Sequence, residues 1–331
     1  MDPVISFIIP VLNAERHLHT CLRSIRSQDY PAGSVEIIVL DGGSTDSTVE
    51  TAWLFGAKVV PNPRRLAEYG LQVGIAVATG DLITIFAADN ELSRRDWIKT
   101  AVGAFNADAG CAAVWGPLRS GPDDPAINKY FELIQSDPMT YFMNKNMSGY
   151  LKDEATISRG DAYFFRVDPR RPLVWGANGL TMRRDLVSHI WARQGYLGDN
   201  DAFQQMIEEG NSLVAFIPGL ITYHHHVGAV SDFIHKWKRN FSMHFLDKIE
   251  TRNTNWVFTE NFRKRLFLWL IYSTNPLISG LHALFMGLRD KNLFWVYHPL
   301  LCMLQTFVYA WIMVATPKGR QMAFKIARGL V

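Results

Sequence analysis

The chain has 331 residues, of which 48% are hydrophobic and 20% charged, and this excludes a disordered or fibrous protein. Its formal charge of +3 is unevenly spread: residues 262–331 hold nine Lys or Arg and one acid, Asp290, so the preceding 261 residues are net acidic. An acidic domain followed by a basic, apolar tail is therefore expected, and a basic nucleic-acid-binding domain is not.

Residues 4–12 (VISFIIPVL) form a short apolar, β-branched run that reads as a buried strand. Leu18, Cys21, Leu22 and Ile25 then recur at helical spacing. A second strand is expected over 35–40 (VEIIVL), a third at 58–60 and a fourth over 82–86, with helices to about Phe55 and over 70–78 between them. Such alternation predicts an α/β fold, a mostly parallel sheet flanked by helices. Residues 119–170, rich in Gly, Pro, Asp and aromatics, read as an irregular flap. Helices are expected from about Arg184 and from Asp199 to Glu209, with a last strand over 213–217. No GxGxxG follows the first strand and no GxxxxGK[ST] occurs, which disfavours a dinucleotide fold and a P-loop NTPase. Cys21, Cys111 and Cys302 lie far apart and read as buried thiols in a reducing compartment. The opening MDPVISFIIP lacks the basic segment of a signal peptide, so the catalytic part is expected on the cytoplasmic side.

The tail differs in kind. Residues 266–288 and 292–317 carry no charge, and basic residues flank both stretches. Each is long enough for a bilayer core of about 30 Å. A spanning hairpin with cytoplasmic flanks, a pair of interfacial helices and a soluble core pair all fit. The division expected is a catalytic domain over 1–255 and membrane-associated helices over 256–331.

Ligands of open parallel sheets sit beyond the carboxyl ends of the strands. Here those ends carry Asn13, Asp41 and Asp89-Asn90. The runs IIPVLNAE (8–15), VLDGGSTDST (39–48) and ATGDLITIFAADNEL (78–92) resemble the family 2 glycosyltransferases of the GT-A fold. The resemblance covers residues 4 to about 240. It implies inverting transfer of a hexosyl or N-acetylhexosaminyl group from a nucleotide-sugar, most often a UDP-sugar, assisted by Mn²⁺ or Mg²⁺. It places Pro10, Val11 and Asn13 in the loop that holds the base, with Glu15 beside them as a binding or capping acid. It assigns Asp41 to the edge of the nucleobase. Arg64 and Arg65, which lie before the next helix, read either as diphosphate contacts or as a solvated face. Asp89 is the metal ligand it implies, although the family triplet Asp-x-Asp here reads Ala87-Ala88-Asp89. A diphosphate leaving group calls for a hard cation, and a carboxylate beyond a strand end is its natural ligand.

The family's base lies at a helix start about eleven residues before a glycine. Counting back from Gly210 gives Asp199 as that base and Asp201 as the fallback, and both also read as helix caps. The segment Trp175 to Gly179 resembles an acceptor-side strand, in which Asn178 would contact the donor sugar or the acceptor. His224 and His226 are the implied further metal ligands, in His224-His225-His226. Lys236, Lys238 and Arg239 with Trp237 read as a phosphate-binding or membrane-facing stripe.

The expected protein is a glycosyltransferase at the cytoplasmic face of the cell membrane, acting on a lipid-linked saccharide, a polyprenyl phosphate or a polysaccharide. The alternatives are a nucleotidyltransferase, disfavoured by the missing Gly-rich loop, and an assembly protein that binds nucleotide-sugar without turnover.

Overall fold

The structure is a computed structural model that describes residues 2–144, 146–192, 197–246 and 262–328, with the side chain of His244 excepted. They form two compact units. The first comprises Met1–Arg119 and Asn146–His224, the second Ser120–Lys145 and His225–Val331. The boundary expected at 255/256 lies outside the described residues.

The first unit is built on a nine-stranded sheet in the order β3-β2-β1-β4-β10-β6-β11-β9-β8. Its strands are β1 (Ile5–Val11), β2 (Val35–Asp41), β3 (Lys58–Pro61), β4 (Leu82–Ile85), β6 (Ala113–Trp115), β8 (Ile157–Arg159), β9 (Ala162–Arg166), β10 (Thr181–Arg183) and β11 (Leu213–Phe216). The three-residue β5 (Asn90–Leu92) and β12 (Thr222–His224) and the two-residue β7 (Leu118–Arg119) form a separate small sheet. Strands β3, β2, β1 and β4 run parallel, whereas β10 and β9 are antiparallel to their neighbours.

The α/β architecture expected from the alternating pattern is present. Both faces of the sheet are covered. Ile5, Phe7 and Ile9 of β1 pack into one layer with the predicted face Leu18, Cys21, Leu22 and Ile25 of the helix Glu15–Arg26. Ile8 points the other way, into a layer with Leu71 and Ile75 of the helix Ala67–Val77. That helix lies close to β1 and β2: a Cβ on Gly74 would meet Ile8 Cγ2 at 2.4 Å and Leu40 Cδ2 at 2.8 Å.

The structure departs from the sequence reading in three places. Residues 119–170 are not one irregular flap. Residues 126–134 and 138–143 are helices of the second unit, whereas 146–150 is a helix of the first and β8 and β9 close the edge of its sheet. Residues 175–179 form no strand. A turn, with Gly179 at φ 78°, precedes β10. The first apolar stretch is not one long helix. Asn275 ends the helix Phe262–Thr274, and Pro276, which lacks an N–H, opens the helix Pro276–Asp290. Among the described residues one stretch, Leu293–Ala315, is long and apolar enough to cross a membrane, where the spanning hairpin required two.

Candidate active site

The first strand end is organised by a clasp between two loops. Asn13, at φ 50°, donates its backbone N–H to Ser44 Oγ at 2.9 Å and accepts from Thr45 N at 2.9 Å through Oδ1. Ala14 N donates to Thr48 Oγ1 at 2.7 Å. Glu15 N donates to Asp46 Oδ2 at 3.2 Å, and the Glu15 carboxylate accepts from Ser47 N at 3.1 Å. Glu15 thus serves as a cap for the helix Thr48–Leu54. The Thr48 hydroxyl holds the Asp46 carboxyl below its ordinary range. Apart from Glu15, every side-chain partner is a short Ser, Thr, Asn or Asp, the type that bonds local backbone and shapes turns.

Asp41 ends β2 and turns the chain back. Its carboxylate accepts from Gly43 N at 3.1 Å and Ser44 N at 3.0 Å. Gly42 N donates to Val11 O at 2.9 Å, tying the two strand ends together, and Pro10 pairs with Leu40 one step inside. An ionised carboxylate has about four lone-pair sites, so Asp41 retains acceptor capacity for a ligand N–H. Arg65, at φ 55°, donates through Nε to Gly42 O at 2.9 Å, which fixes an exposed guanidinium beside this turn. Arg64 instead lies over the Tyr69 ring at 4.4 Å.

Asp89 follows β4, and His224 ends β12. The strands β5 and β12 pair antiparallel and place His224 opposite Asn90, so His224 Nε2 comes within 3.6 Å of Asp89 Oδ2. His224 is buried and the Asp89 side chain is 28% exposed, which leaves the pair an open side. Asn90 is buried, and neither its amide oxygen nor its nitrogen has a hydrogen-bond partner. Buried polar atoms of this kind normally find a partner, so the unsatisfied amide of Asn90, next to Asp89 in the chain and opposite His224 in the strand register, is compatible with a ligand at this end of the sheet. A carboxylate oxygen and an imidazole nitrogen suit a divalent ion, with the nitrogen favouring a transition ion such as Mn²⁺. Ala87 contributes no ligand; its carbonyl accepts from Asn90 N at 3.1 Å. Asn178 sits in the turn after residue 176, where Gly179 N donates to Ile85 O at 2.8 Å and so joins this turn to the end of β4.

The helix Asp199–Glu208 separates the two candidate bases. Asp201 is 2% exposed, and its Oδ2 accepts from Gly198 N at 3.1 Å, which makes it the cap of its own helix. Asp199 accepts from Asn200 N at 2.7 Å, and Asn200 donates onward to Trp175 O at 3.0 Å. Burial pushes the Asp199 carboxyl up to about 6, with the charges of Glu68 and Asp201 adding to the rise. Trp175 stacks on Trp115 at 4.9 Å and meets Phe203 edge-on at 5.0 Å, as part of an aromatic cluster.

The other sequence candidates fall in the second unit. His226 stacks on Phe131 at 4.4 Å and meets Lys236 Nζ at 3.1 Å through Nδ1. His225 pairs with Asp124 at 2.7 Å. Trp237 is buried against Phe233, so it does not belong to an outward stripe. Sequence reasoning did not single out Asn90 as an orphaned amide, nor Glu68. The only signal for Asn90 was its place next to Asp89; for Glu68 there was none.

Comparisons with known proteins agree with the family resemblance and the α/β fold. The model of the family described as Glycosyl transferase family 2 matches residues 6–168. A Methanococcus voltae dolichyl N-acetyl-alpha-D-glucosaminyl phosphate 3-beta-D-2,3-diacetamido-2,3-dideoxy-beta-D-glucuronosyltransferase is 32% identical over 108 residues, 30% of this chain and 33% of that protein. A Mycobacterium tuberculosis PGL/p-HBAD biosynthesis glycosyltransferase is 34% identical over 111 residues, 31% of this chain and 41% of that protein. The matched region thus spans 33% and 41% of the length of these two curated relatives. Among solved structures, the mannosyltransferase PcManGT from Pyrobaculum calidifontis, in complex with GDP-Man and Mn²⁺, aligns with a TM-score of 0.52 at 16% identity. That alignment covers 100% of this chain and 81% of the other, and is a likeness of fold.

Proposed function

Because the chain carries a family 2 glycosyltransferase domain over residues 6–168, we propose that it transfers a sugar from a nucleotide-diphosphate sugar to a membrane-borne acceptor with inversion. The observation that carries this reading is the Asp89–His224 pair at 3.6 Å beside the orphaned Asn90 amide, on the domain whose strand ends also present Asp41 and Arg65.

In this reading Asp41 accepts a nucleobase N–H while its own turn holds it in place, and the loop of Pro10, Val11 and Asn13 lies against the base. Arg65 faces the diphosphate and Asn178 the transferred sugar or the acceptor. Asp89 and His224 hold the cation, and His226, two residues further along the chain, is the third ligand that the sequence offers. Mn²⁺ or Mg²⁺, when bound, neutralises charge that builds on the leaving diphosphate.

Asp199 is the general base. The acceptor oxygen attacks the anomeric carbon from the face opposite the diphosphate and its proton passes to Asp199. The bond from the anomeric carbon to the diphosphate oxygen breaks, and the nucleoside diphosphate departs with the electron pair. A base titrating near 6 is ionised at neutral pH yet basic enough to share a proton in the transition state. The apolar tail and the relative named for dolichyl N-acetyl-alpha-D-glucosaminyl phosphate support a lipid-linked acceptor at the cytoplasmic face of the cell membrane.

The test is a thermal-shift screen of UDP-, GDP- and dTDP-sugars with and without Mn²⁺, followed by transfer assays on lipid-linked and water-soluble acceptors. A donor at a hundred times its Kd raises stability by about 2.7 kcal/mol. No stabilisation by any sugar nucleotide refutes the donor assignment. Binding without turnover on any acceptor leaves the assembly protein that the loss of the first Asp of the triplet, at Ala87, would produce.

A further inference from the structure

The helices of the tail bury an apolar core and also expose large apolar side chains along their outer faces. Pro276–Asp290 turns its small residues Ser279 and Ala283, with Met286, inward. Its large residues Leu277, Leu281, Leu284, Phe285 and Leu288 recur along one face and are 60% to 76% exposed. The helix His298–Ala315 repeats the pattern. It buries Leu301, Cys302, Val308 and Ile312 together with His298, Gln305 and Thr306, and leaves Phe307, Trp311 and Val314 exposed, at 57% to 69%. The buried polar groups are satisfied within the unit: His298 Nδ1 meets the Tyr130 hydroxyl and His298 Nε2 the Tyr272 hydroxyl, each at 2.7 Å. Thr306 donates to Ser273 Oγ at 2.7 Å. Contiguous Leu, Phe and Trp side chains on the outer faces suit a non-aqueous neighbour.

The same helices are poorly made for crossing a bilayer. Phe262–Thr274 and Pro276–Asp290 have 13 and 15 residues. At 1.5 Å per residue they reach about 20 and 22 Å, short of a core of about 30 Å. Leu293–Ala315 has the length. Near its midpoint, however, Gln305 donates to the Asp137 carboxylate at 2.6 Å and accepts from Met139 N at 2.8 Å. A crossing would hold that carboxylate at bilayer mid-depth, where charge is costly.

Charge identifies the neighbour. Residues 262–328 carry nine Lys or Arg against Asp290 alone. A second copy would add a further set of like charge, whereas an anionic leaflet complements it. We propose that residues 262–328 are a monotopic membrane element. The Leu277–Leu288 and Phe307–Val314 faces enter one anionic leaflet, the basic residues meet its headgroups, and no helix crosses. This deepens the reading above by naming the mode of attachment; attachment itself needs no sugar acceptor.

The experiment uses the full chain and vesicles without glycan, either phosphatidylcholine alone or phosphatidylcholine with phosphatidylglycerol. Sedimentation should show binding to the anionic vesicles stronger by at least about tenfold, and weakened by salt. The triple variant Leu281→Asp, Leu284→Asp, Phe285→Asp alters exposed positions only. It should lose more than about a hundredfold in partitioning. Leu54→Asp, an equally exposed apolar position of the first unit, should not change it.

Lys291→Cys and Lys318→Cys, combined in one chain, bracket the long stretch, and the three native cysteines are buried. In proteoliposomes treated with a membrane-impermeant maleimide, each molecule should carry two labels or none. One label per molecule would show a crossing helix and overturn the proposal. So would vesicle binding that is absent, or unaffected by the triple variant, or a triple variant whose only effect is to convert an oligomer to a monomer. Vesicle binding that persists while sugar passes only to soluble acceptors would instead refute the acceptor reading and leave the attachment standing.

Discussion

Replacing Asp199 by Asn should make the protein more stable and nearly inactive. Burial raises the folded-state pKa of this carboxyl from the ordinary 3.8 to about 6. Between those values the folded chain still holds a proton that the unfolded chain has released. Native stability therefore falls as pH rises from about 4 to about 6, and the loss is complete above that range. At about 1.4 kcal/mol per pKa unit the loss approaches 3 kcal/mol, and partial exposure of the side chain reduces it to roughly 2 kcal/mol. An amide at position 199 never ionises and avoids this cost. The stability of Asp199→Asn minus that of the wild type should thus be near zero at pH 4, climb to about 2 kcal/mol by pH 7 and then level off. Taking the difference cancels the titrating groups that do not interact with Asp199, leaving its own titration and its coupling to Glu68 and Asp201. Urea unfolding of both proteins at half-unit pH steps measures it. The same variant should lose about 10²- to 10⁴-fold in transfer while its nucleotide-sugar affinity stays near normal, because the base acts on the acceptor proton alone. Wild-type transfer should rise with pH through an inflection near 6. A stability difference that is flat across pH 4–7 would show that Asp199 is an ordinary surface carboxylate. Undiminished transfer would remove it as the base, and if Asp201→Asn lost transfer instead, the helix register would be wrong by two residues.

Asp89→Ala and His224→Ala should each weaken Mn²⁺ binding by at least about tenfold in calorimetry, without lowering the melting temperature of the metal-free protein by more than a few degrees. Gly74→Ala should cost about 1–3 kcal/mol in urea unfolding, since a Cβ there would overlap Ile8 Cγ2 at 2.4 Å. Truncation after residue 261 should yield an insoluble chain rather than a soluble catalytic domain. It removes His298 from Tyr130 and Gln305 from Asp137, and uncovers the core that Ile134, Phe233 and Trp237 share with Leu301 and Ile312. A monodisperse, cooperatively melting truncated protein would refute this.

The strand-end loops of the first unit were legible because their information is local. The strands around 5–11, 35–41 and 82–85 are predominantly apolar runs broken only by Ser6, Glu36, Asp41 and Thr84, as expected of strands covered on both faces, and the helix Glu15–Arg26 shows its buried face in its own spacing. The turn at Asp41-Gly42-Gly43 announced itself by composition, and so did the side chains that clasp it. Asp89 was singled out by its position after a strand, and it does follow β4. Its closeness to His224 was not readable, since it depends on two three-residue strands separated by 129 residues that carry no period of their own. The division of labour at the helix start was hidden as well. Asp199 and Asp201 are identical in type and two residues apart, and only burial among Glu68, Asn200 and their neighbours makes one a cap and lifts the pKa of the other. The tail shows the same limit. Its composition established that it is apolar and basic, whereas the Asn275–Pro276 break and the bond from Gln305 to Asp137, 168 residues away, decided which side chains face inward. Periodicity records what one element buries, while a contact between distant segments is a property of the assembled chain and leaves no mark on either segment alone.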